Sequence, residues 1–541
     1  MANKYARLNL ASAIFPFYTA AAGRTVMVPD IDENFDRYNA ANTAPDKGVP
    51  QVFYMHNCMP ISGGFQSIGY LQRLAGIPGS VDFDTPYQLI NSGDASFLFV
   101  PAQGLNYIFD GDVGNWASIS PMLTGQVGSN TLVTTAYVKG STYIFYAHYG
   151  CFIYNATTKV LDSVTLAGLD VTKILGIFSA NGYMLAWTID SVVYSSLTDP
   201  TNFTPSIQTG AGGGKILDVK GQINICLPIS GGFLVYCEKN IVGASYSGNT
   251  FYPYVYLEVK GSGGTDSLDN IAYQSNLPYH VALTTAGIQQ VSLDSAIPTL
   301  PELSDFLTGQ IFEDFNEATL SFSESFLTSP LAVKFSYIAD RFFVCSYGVQ
   351  APNYTHAVIY DLALNRFGKV KLNHRAAFQY ALPTPYGNIT YNQLLNTPID
   401  TLNNTTYTDL FSLVHFSMVA KQNLAFLQED GTVQLVDFSL RENNASGVFI
   451  LGKMQFSRNA VMVHQRTDVE TVNKNNIFSL YILPTYNGKD FGTAVPTVTN
   501  NTGTLMRTFA KRFTASNISL LCVGAFNVTS IVLNFTIGGS R

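Results

Sequence analysis

Short apolar runs, each broken by glycine or polar residues, recur along most of this chain. Between Tyr194 and Gly264 they are Ile216–Val219, Ile223–Leu227 and Phe233–Tyr236, separated at Gly221 and at Ser230-Gly231-Gly232. Runs this short, bounded by turn residues, predict strands, and three in succession predict a meander. The preceding run, Met184–Tyr194, ends in Ser196–Pro200, where Asp199-Pro200 opens a turn.

The same theme extends in both directions. Phe97–Pro101, Asn106–Phe109 and Trp116–Ile119 make one unit. Val133–Val138, Thr142–Ala147, Gly150–Tyr154 and Val160–Leu166 make the next. Ile174–Phe178, Met184–Ile189 and Val192–Ser195 make a third, and Ile216–Tyr256 a fourth. Val281–Thr284 with Ile288–Leu293 reads as the outer half of a fifth. Val333–Tyr337, Phe342–Tyr347, His356–Tyr360 and Phe367–Lys371 form another full unit. Leu410–Met418, Ala425–Gln428 and Val433–Phe438 form the last. Tyr107, Tyr154 and Tyr194 are spaced by 47 and 40 residues, and blades of four short strands recur at about 40–50 residues. The pattern therefore predicts an all-β chain built on a six-bladed β-propeller, or a seven-bladed one if residues 92–122 stand alone.

Two insertions interrupt the repeat: 298–330, and 383–408, which is rich in Asn, Thr, Tyr and Pro and reads as an exposed loop. After about residue 446 the strands lengthen. Phe449–Phe456, Ala460–His464, Ile477–Pro484, Phe509–Phe513, Ser519–Val523 and Ile531–Ile537 suit a β-sandwich. The expected division is an N-terminal docking segment over 1–91, a propeller over 92–445 and a C-terminal sandwich over 446–541. The N-terminal segment is expected to join the sandwich in one platform.

Composition narrows the class. Of 541 residues, 47% are apolar, 13% aromatic and only 12% charged, about half the charged share of an ordinary soluble domain. That mixture suits buried β-structure and large protein–protein contacts, not disorder. No run of about eighteen apolar residues is present, so no membrane span is expected. Asn9, Ser12, Pro16 and Tyr18 interrupt the N-terminal apolar stretch and argue against a secretory signal. The six cysteines, Cys58, Cys151, Cys226, Cys237, Cys345 and Cys522, include no CxxC pair and read as free buried thiols of a cytosol-made protein.

The net charge is −7, with 30 basic and 37 acidic residues, which argues against a tight nucleic-acid binder but not against a surface that lets DNA slide past. The charge is also unevenly placed. No Lys or Arg lies between Lys260 and Lys334, an interval holding Asp266, Asp269, Asp294, Glu302, Asp305, Glu313, Asp314, Glu317 and Glu324. Either this is a solvated acidic face, or part of it lines a channel for DNA. For the second reading the candidate channel-facing acids are Asp294, Glu302, Asp305, Glu313, Asp314, Glu317 and Glu324. A basic counterpart, Arg366, Lys369, Lys371, His374 and Arg375, is too short to hold nucleic acid. It reads as subunit–subunit pairing or as solvated strand ends.

Signals for chemistry are weak. The acidic alternation Asp30, Asp32, Asn34, Asp36 fails the calcium-loop pattern at Phe35 and Ala41. Gly210–Lys215 resembles a phosphate loop, but Thr209 and Ile216 stand where glycine and Ser/Thr are required, so a flexible inter-blade loop is expected. Gly243–Ser247 lacks the last glycine of a nucleophile elbow. The seven histidines are isolated and read as structural or surface residues. Asp110, Asp112 and Asn115 read as a hairpin turn rather than a cation site. No catalytic residue, metal site or cofactor is expected.

The series Tyr194-Ser195, Asp199-Pro200-x-x-Phe203, Thr209-Gly210-Ala211-Gly212, Ile216-Leu217-Asp218-x-Lys220-Gly221, Gly232-Phe233 and Val242-Gly243-Ala244-Ser245-Tyr246 resembles the tail nozzle proteins of short-tailed bacteriophages, also called tail-tube or packaged-DNA stabilisation proteins. Asn57-Cys58-Met59-Pro60, Gly63-Gly64, Arg73 and Pro78-Gly79 resemble that family's opening, and Gly524-x-Phe526 its C-terminal platform. The resemblance spans roughly 50–541, is strongest at 190–264 and 300–347, and fails at 375–410. It implies a structural, non-enzymatic subunit of a homo-hexameric ring in the virion tail, made and assembled in the host cytoplasm. The ring would retain packaged DNA and pass it during ejection, without binding it specifically. Implied partners are the portal–adaptor assembly, tail fibres or spikes, and a tip plug. The alternatives are a propeller that hydrolyses host glycan, needing a central carboxylate pair, or one that only binds glycan.

Overall fold

The computed structural model describes residues 3–10, 26–27, 52–68, 73–74, 87–92, 95–110, 115–119, 128, 131–155, 158–249, 252–308, 311–312, 315–316, 321–322, 326–327, 331–338, 341–381, 422–429, 432–436, 446–455, 460–472, 477–484, 495–496, 498–499, 505–515 and 517–540. Within them the chain is all-β, and its repeated unit is a four-stranded antiparallel sheet. Seven such units succeed one another along the chain: Gln88–Ser118, Val133–Val164, Gly176–Lys215, Ile223–Glu258, Ile271–Pro298, Ala332–His374, and a last one begun by Ala376–Ala381.

The units form a closed propeller because each interface is an apolar wedge. Alternate residues of a strand face opposite neighbours. Ile177 packs toward the second unit, and the next residue, Phe178, packs toward the fourth. Both faces are buried, so the strands read as continuous apolar runs rather than as a clean polar–apolar alternation. The wedges run from the first and second blades, around Phe97, Ile144 and Tyr146, to the sixth and seventh, around Phe342, Ile359 and Phe426. Another joins the seventh blade back to the first, where Phe378, Leu427 and Val433 meet Leu98, Tyr107 and Trp116. Blade seven is completed by a strand from far upstream: Val433 and Gln434 pair with Leu74 and Arg73. The ring is thus closed by N-terminal chain acting as the outermost strand of its last blade.

Several sequence expectations shift. Residues 88–118 stand as their own blade, so the count is seven. Val281–Thr284 and Ile288–Leu293 are the middle, not the outer half, of a complete fifth blade that also uses Ile271–Ala272 and Ala296–Pro298. Ile216–Val219 is no strand. Gly212–Lys215, expected to be a loop, is the outer strand of blade three. Its glycines carry no apolar signal, and Gly213 is needed: a Cβ there would stand 2.4 Å from the Val192 carbonyl oxygen. The final blade begins at Ala376–Ala381, inside the stretch where the family resemblance fails. The 383–408 loop and Leu410–Met418 lie outside the described residues.

Described N-terminal and C-terminal chain outside the propeller forms two facing sheets. One contains Asn527–Ser540, Ala460–Thr471, Met506–Ala515 and Val498–Thr499, with Asn3–Asn9 along Asn527–Ser540. The other contains Gly447–Gln455, Asn517–Gly524, Phe478–Pro484 and Val495–Pro496, with Val26–Met27 and Val52–His56 on Gly447–Gln455. Alternate residues Ile531, Leu533 and Phe535 of the first meet Leu480, Ile482, Leu520 and Cys522 of the second. The expected sandwich platform, built from C-terminal and N-terminal chain, is therefore present.

Propeller and sandwich share one sheet. The hairpin Cys58–Ile61 and Gly64–Ser67 pairs on one side with blade six, through Cys58 and Lys369. On its other side it pairs with the sandwich, through Gln66–Asn527 and Phe65–Val528. The result is eleven strands in one continuous sheet. The strands approach too closely for side chains at two points. A Cβ at Gly64 would fall 1.9 Å from the Val528 carbonyl oxygen, and one at Gly368 would fall 2.6 Å from that of Cys58.

Gly368→Ala is expected to destabilise the fold by about 1–3 kcal/mol, because the Cys58 backbone must yield as well as the Met59 side chain. Gly214→Ala, where a Cβ meets nothing within 4 Å, should be close to neutral. Paired urea unfolding curves check this; equal midpoints for the two variants would contradict the close-approach argument.

Candidate functional site

A cluster of buried polar groups lies at the splice between blade six and the sandwich. Its outer strand, Arg366–His374, carries most of the basic cluster that the sequence reading assigned to subunit pairing or solvated strand ends. The structure corrects that assignment. Lys369, His374 and Arg375 are buried, Arg366 is half-buried, and only Lys371 is exposed.

Arg366 points into the hairpin. Its Nη1 donates to the carbonyl oxygens of Ile61 and Gly64, both at 3.1 Å, and its Nη2 donates to that of Leu10 at 2.8 Å. The guanidinium also lies over the Phe65 ring, 4.4 Å from its centroid. One planar fork thus satisfies the carbonyls of a turn and of the N-terminal strand at once, which a lysine could not do. Burial holds its pKa down to about 10, so it stays cationic at neutral pH. Lys369 sits among three aromatic rings from three regions: Tyr54 at 5.5 Å, Phe306 at 5.6 Å and Tyr347 at 5.8 Å. Phe306 belongs to the helix Pro301–Thr308, which opens the first insertion. The cage therefore ties sandwich, insertion and blade to one ammonium.

Asn57, at a positive φ of 49° before the hairpin, orders the entry. Its Oδ1 accepts from the Lys371 amide at 3.0 Å, and its carbonyl accepts from the Ile68 amide at 2.8 Å. The Cys58 Sγ lies 3.2 Å from the His56 carbonyl oxygen and 3.1 Å from that of Val448, and its one proton can go to either. His374 bridges two strands as a neutral imidazole: Nδ1 donates to the Leu372 carbonyl at 2.6 Å, so Nε2 accepts from the Ser346 hydroxyl at 2.8 Å. His280 does the same between blades four and five, with Nε2 donating to the Pro228 carbonyl at 3.0 Å and Nδ1 accepting from the Tyr236 hydroxyl at 2.9 Å. Burial pushes both histidines down to about 4.

The candidate acids are not gathered into one described site. Asp294 is exposed in the turn before Ala296–Pro298, where its carbonyl accepts from the Lys260 amide at 3.2 Å. Glu302 is exposed in the first turn of Pro301–Thr308, and Asp305 lies on the same helix one turn on. Glu313, Asp314, Glu317 and Glu324 lie outside the described residues, as do Asp112 and the acidic series 30–36. Asp269, from the wider acidic block, is tied by a 2.6 Å ion pair to Lys334 on the innermost strand of blade six. Asn115 pairs in register with Asp110, as a hairpin requires.

All six cysteines are buried and none forms a disulfide, and burial pushes the thiols of Cys151 and Cys237 up to about 12. Those thiols are poor nucleophiles. Among the described residues no group of three or more His, Cys, Asp or Glu side chains could hold a metal ion, and no helix is long and apolar enough to cross a membrane. Chemically, the splice can hold two modules in register. Arg366 and Lys369 are spent on carbonyls and rings.

No protein-family model matches the chain, and no curated protein matches it. Among solved structures, the chain is similar to the WD40 β-propeller domain of Doa1, at 10% identity over 69% of this chain and 98% of that one, with a TM-score of 0.37. It is also similar to a chain of a mitotic checkpoint complex, at 9% identity over 68% and 94%, with a TM-score of 0.35. The β-propeller domain of Myceliophteria thermophila Cps50 (Swd1) gives 9% identity over 67% and 98%, with a TM-score of 0.36. Likeness at that level adds nothing to the strand order and ring closure described above.

Arg366→Met, which leaves three carbonyls without their donor, should cost about 2–4 kcal/mol, whereas Lys239→Met at an exposed turn should change stability by under about 0.5 kcal/mol. Denaturant titration distinguishes them, and a neutral Arg366→Met would contradict the splice. The histidines give a pH signature. Each folded pKa lies below the ordinary value of 6.5, so the unfolded chain takes up protons first. Their stabilisation is complete above about pH 6.5 and is lost as pH falls toward 4, at roughly 1.4 kcal/mol per pH unit for each histidine. Unfolding measured at pH 7.5, 5.5 and 4.5 should show the loss, and it should shrink in a His280→Gln/His374→Gln variant. A flat profile across that window would contradict it.

Proposed function

We propose that this protein is a structural subunit of a short-tailed phage tail nozzle: one wall segment of a ring whose axial passage retains packaged DNA and releases it at infection. The observation that carries the reading is the splice. The Asn57-Cys58-Met59-Pro60 and Gly63-Gly64 motifs, which resemble that family's opening, build the hairpin that fuses propeller and sandwich into one sheet. A wall under internal pressure needs modules that do not hinge against each other, and a shared sheet with buried cationic fastenings meets that need.

Charge supports the same reading. Among the described residues three cations, Lys369, Arg375 and Arg507, are buried against one carboxylate, Asp361, which leaves the remaining charge more acidic than the net −7. Repeated around a ring, such a surface repels a passing polyanion and keeps it centred rather than bound. In this reading the partners are further copies of the chain, a portal–adaptor assembly above, fibres or spikes beside it and a plug below, with six copies as the ring number that the resemblance implies. The protein resides in the virion tail and needs no cofactor and no catalytic residue.

Light scattering should give an assembly of several 59.0-kDa chains, with no retention of duplex DNA at about 0.15 M salt. A single-chain mass, or turnover of host polysaccharide by the purified protein, would overturn the reading in favour of a glycan-directed propeller.

A further inference from the structure

Three of the chain's seven histidines meet at the splice. His56 ends the sandwich strand Val52–His56, just before the hairpin. His356 lies on the blade-six strand Tyr354–Asp361, and His374 ends the strand Arg366–His374 that meets the hairpin. All three are buried, and so are two cations among them, Lys369 and Arg375.

Ring contacts link the group. His56 Nδ1 lies 3.1 Å from the Tyr54 hydroxyl, with the two rings edge to face at 5.6 Å. The Tyr54 ring is one wall of the Lys369 cage. Tyr347 is another wall, and the His356 ring stacks on it at 5.4 Å. His374 meets Phe426 of blade seven edge to face at 4.8 Å and Tyr354 at 6.0 Å. Arg375 follows it directly in the chain. Each imidazole is thus separated from a buried cation by one aromatic ring or one peptide bond.

Acid adds positive charge to this cluster. The Ser346 hydroxyl that donates to His374 can turn and accept instead, so the hydrogen bond does not resist the proton. Burial and like charge do. The carboxylates described on the surrounding elements are engaged or exposed. Asp269, before the inner strand of blade five, holds Lys334 at 2.6 Å, and Asp361, at the far end of the His356 strand, holds Arg341 at 2.7 Å. Glu429 of blade seven is exposed, as is Glu302, which shares with Asp305 the helix that carries Phe306. Lys371 of the same strand is an exposed cation. The other titratable neighbours, Tyr54, Tyr87, Tyr347, Tyr354, Cys58 and Cys345, are neutral when protonated and offset nothing. Blades one to four differ: residues 88–258 hold one histidine, His148, and it is exposed.

We propose that the splice is an acid-released latch: protonation of its histidines beside two buried cations frees strand Arg366–His374 from the hairpin, so that propeller and sandwich lose their fixed relation while blades one to four stay folded. The sign follows from His374, held down to about 4 by burial and by His356. The latch is complete above about pH 6.5 and loosens toward 4, by roughly tenfold per pH unit for a histidine so held.

Hydrogen exchange with mass spectrometry on the full chain at pH 7.5 and 4.5, corrected for the intrinsic amide rate, gives each peptide a protection ratio between the two conditions. Peptides covering 58–67 and 366–374 should lose at least about tenfold in protection at pH 4.5 relative to 176–187 of blade three. In His356→Gln/His374→Gln the ratio should return to the blade-three value, whereas His280→Gln, at another junction, should leave it lowered. Each ratio compares a variant with itself, so lower overall stability does not mask the result. If the double variant does not fold at pH 7.5, His356→Gln alone should recover part of the ratio. Equal loss in blade three, no loss at the splice, or loss that the splice variants do not relieve would overturn the latch.

Discussion

Everything in this molecule depends on one short hairpin that belongs to two sheets at once. A β-hairpin has two edges, and here both are used: Cys58 faces blade six and Gln66 faces the sandwich. Main-chain hydrogen bonding leaves little freedom for relative motion across such a joint, unlike the polar contacts that usually join domains. The hydrophobic core follows the sheet. Phe335, Tyr347 and Val358 of blade six lie in the same cluster as Phe65, Phe449, Leu520 and Leu533. The joint requires glycine where backbones cross and cations where carbonyls would otherwise be left without donors. Arg366 and Lys369 fill that second role from the strand that meets the hairpin.

Ring closure imposes the complementary constraint. A propeller is stable only when its last blade finds its first, and here the seam uses an apolar wedge together with the Arg73–Leu74 strand. The N-terminal chain therefore acts three times: as a sandwich strand at Asn3–Asn9, as the splice at Cys58–Ser67, and as the closing strand of blade seven. Removing it would open the ring and uncouple the platform together. Small polar links add register between neighbours, such as the Ile177 amide donating to Thr134 and the Val133 amide donating to Gln88.

Much of this was legible in the sequence for a simple reason. Blade strands are buried on both faces, so their apolar runs are dense and their glycine turns abrupt, and both survive without coordinates. The sandwich strands were visible as longer runs of the same kind. What escaped notice shares a different property, dependence on distant chain. Arg73–Leu74 is too short to show a period. Gly212–Lys215 has almost no side chains from which to read one. Arg366 and Lys369 read as solvated charges because Phe65, Tyr54 and Phe306, which shield them, come from other parts of the chain. The one local hint was their position on a strand whose other residues, such as Val370, were apolar. The acidic interval was legible as composition, but its partition between the Asp269–Lys334 ion pair and the exposed Asp266 and Asp294 was not.

A propeller welded to a sandwich, low in charge and without an evident reactive centre among its described residues, is suited to bearing load around a passage. The most direct test is an image of the assembled particle at a resolution sufficient to place one chain. The account predicts several copies standing around an axial hole in a short tail, each with propeller and sandwich in one fixed relation. A chain absent from the particle, or copies whose propellers tilt independently of their sandwiches, would contradict it.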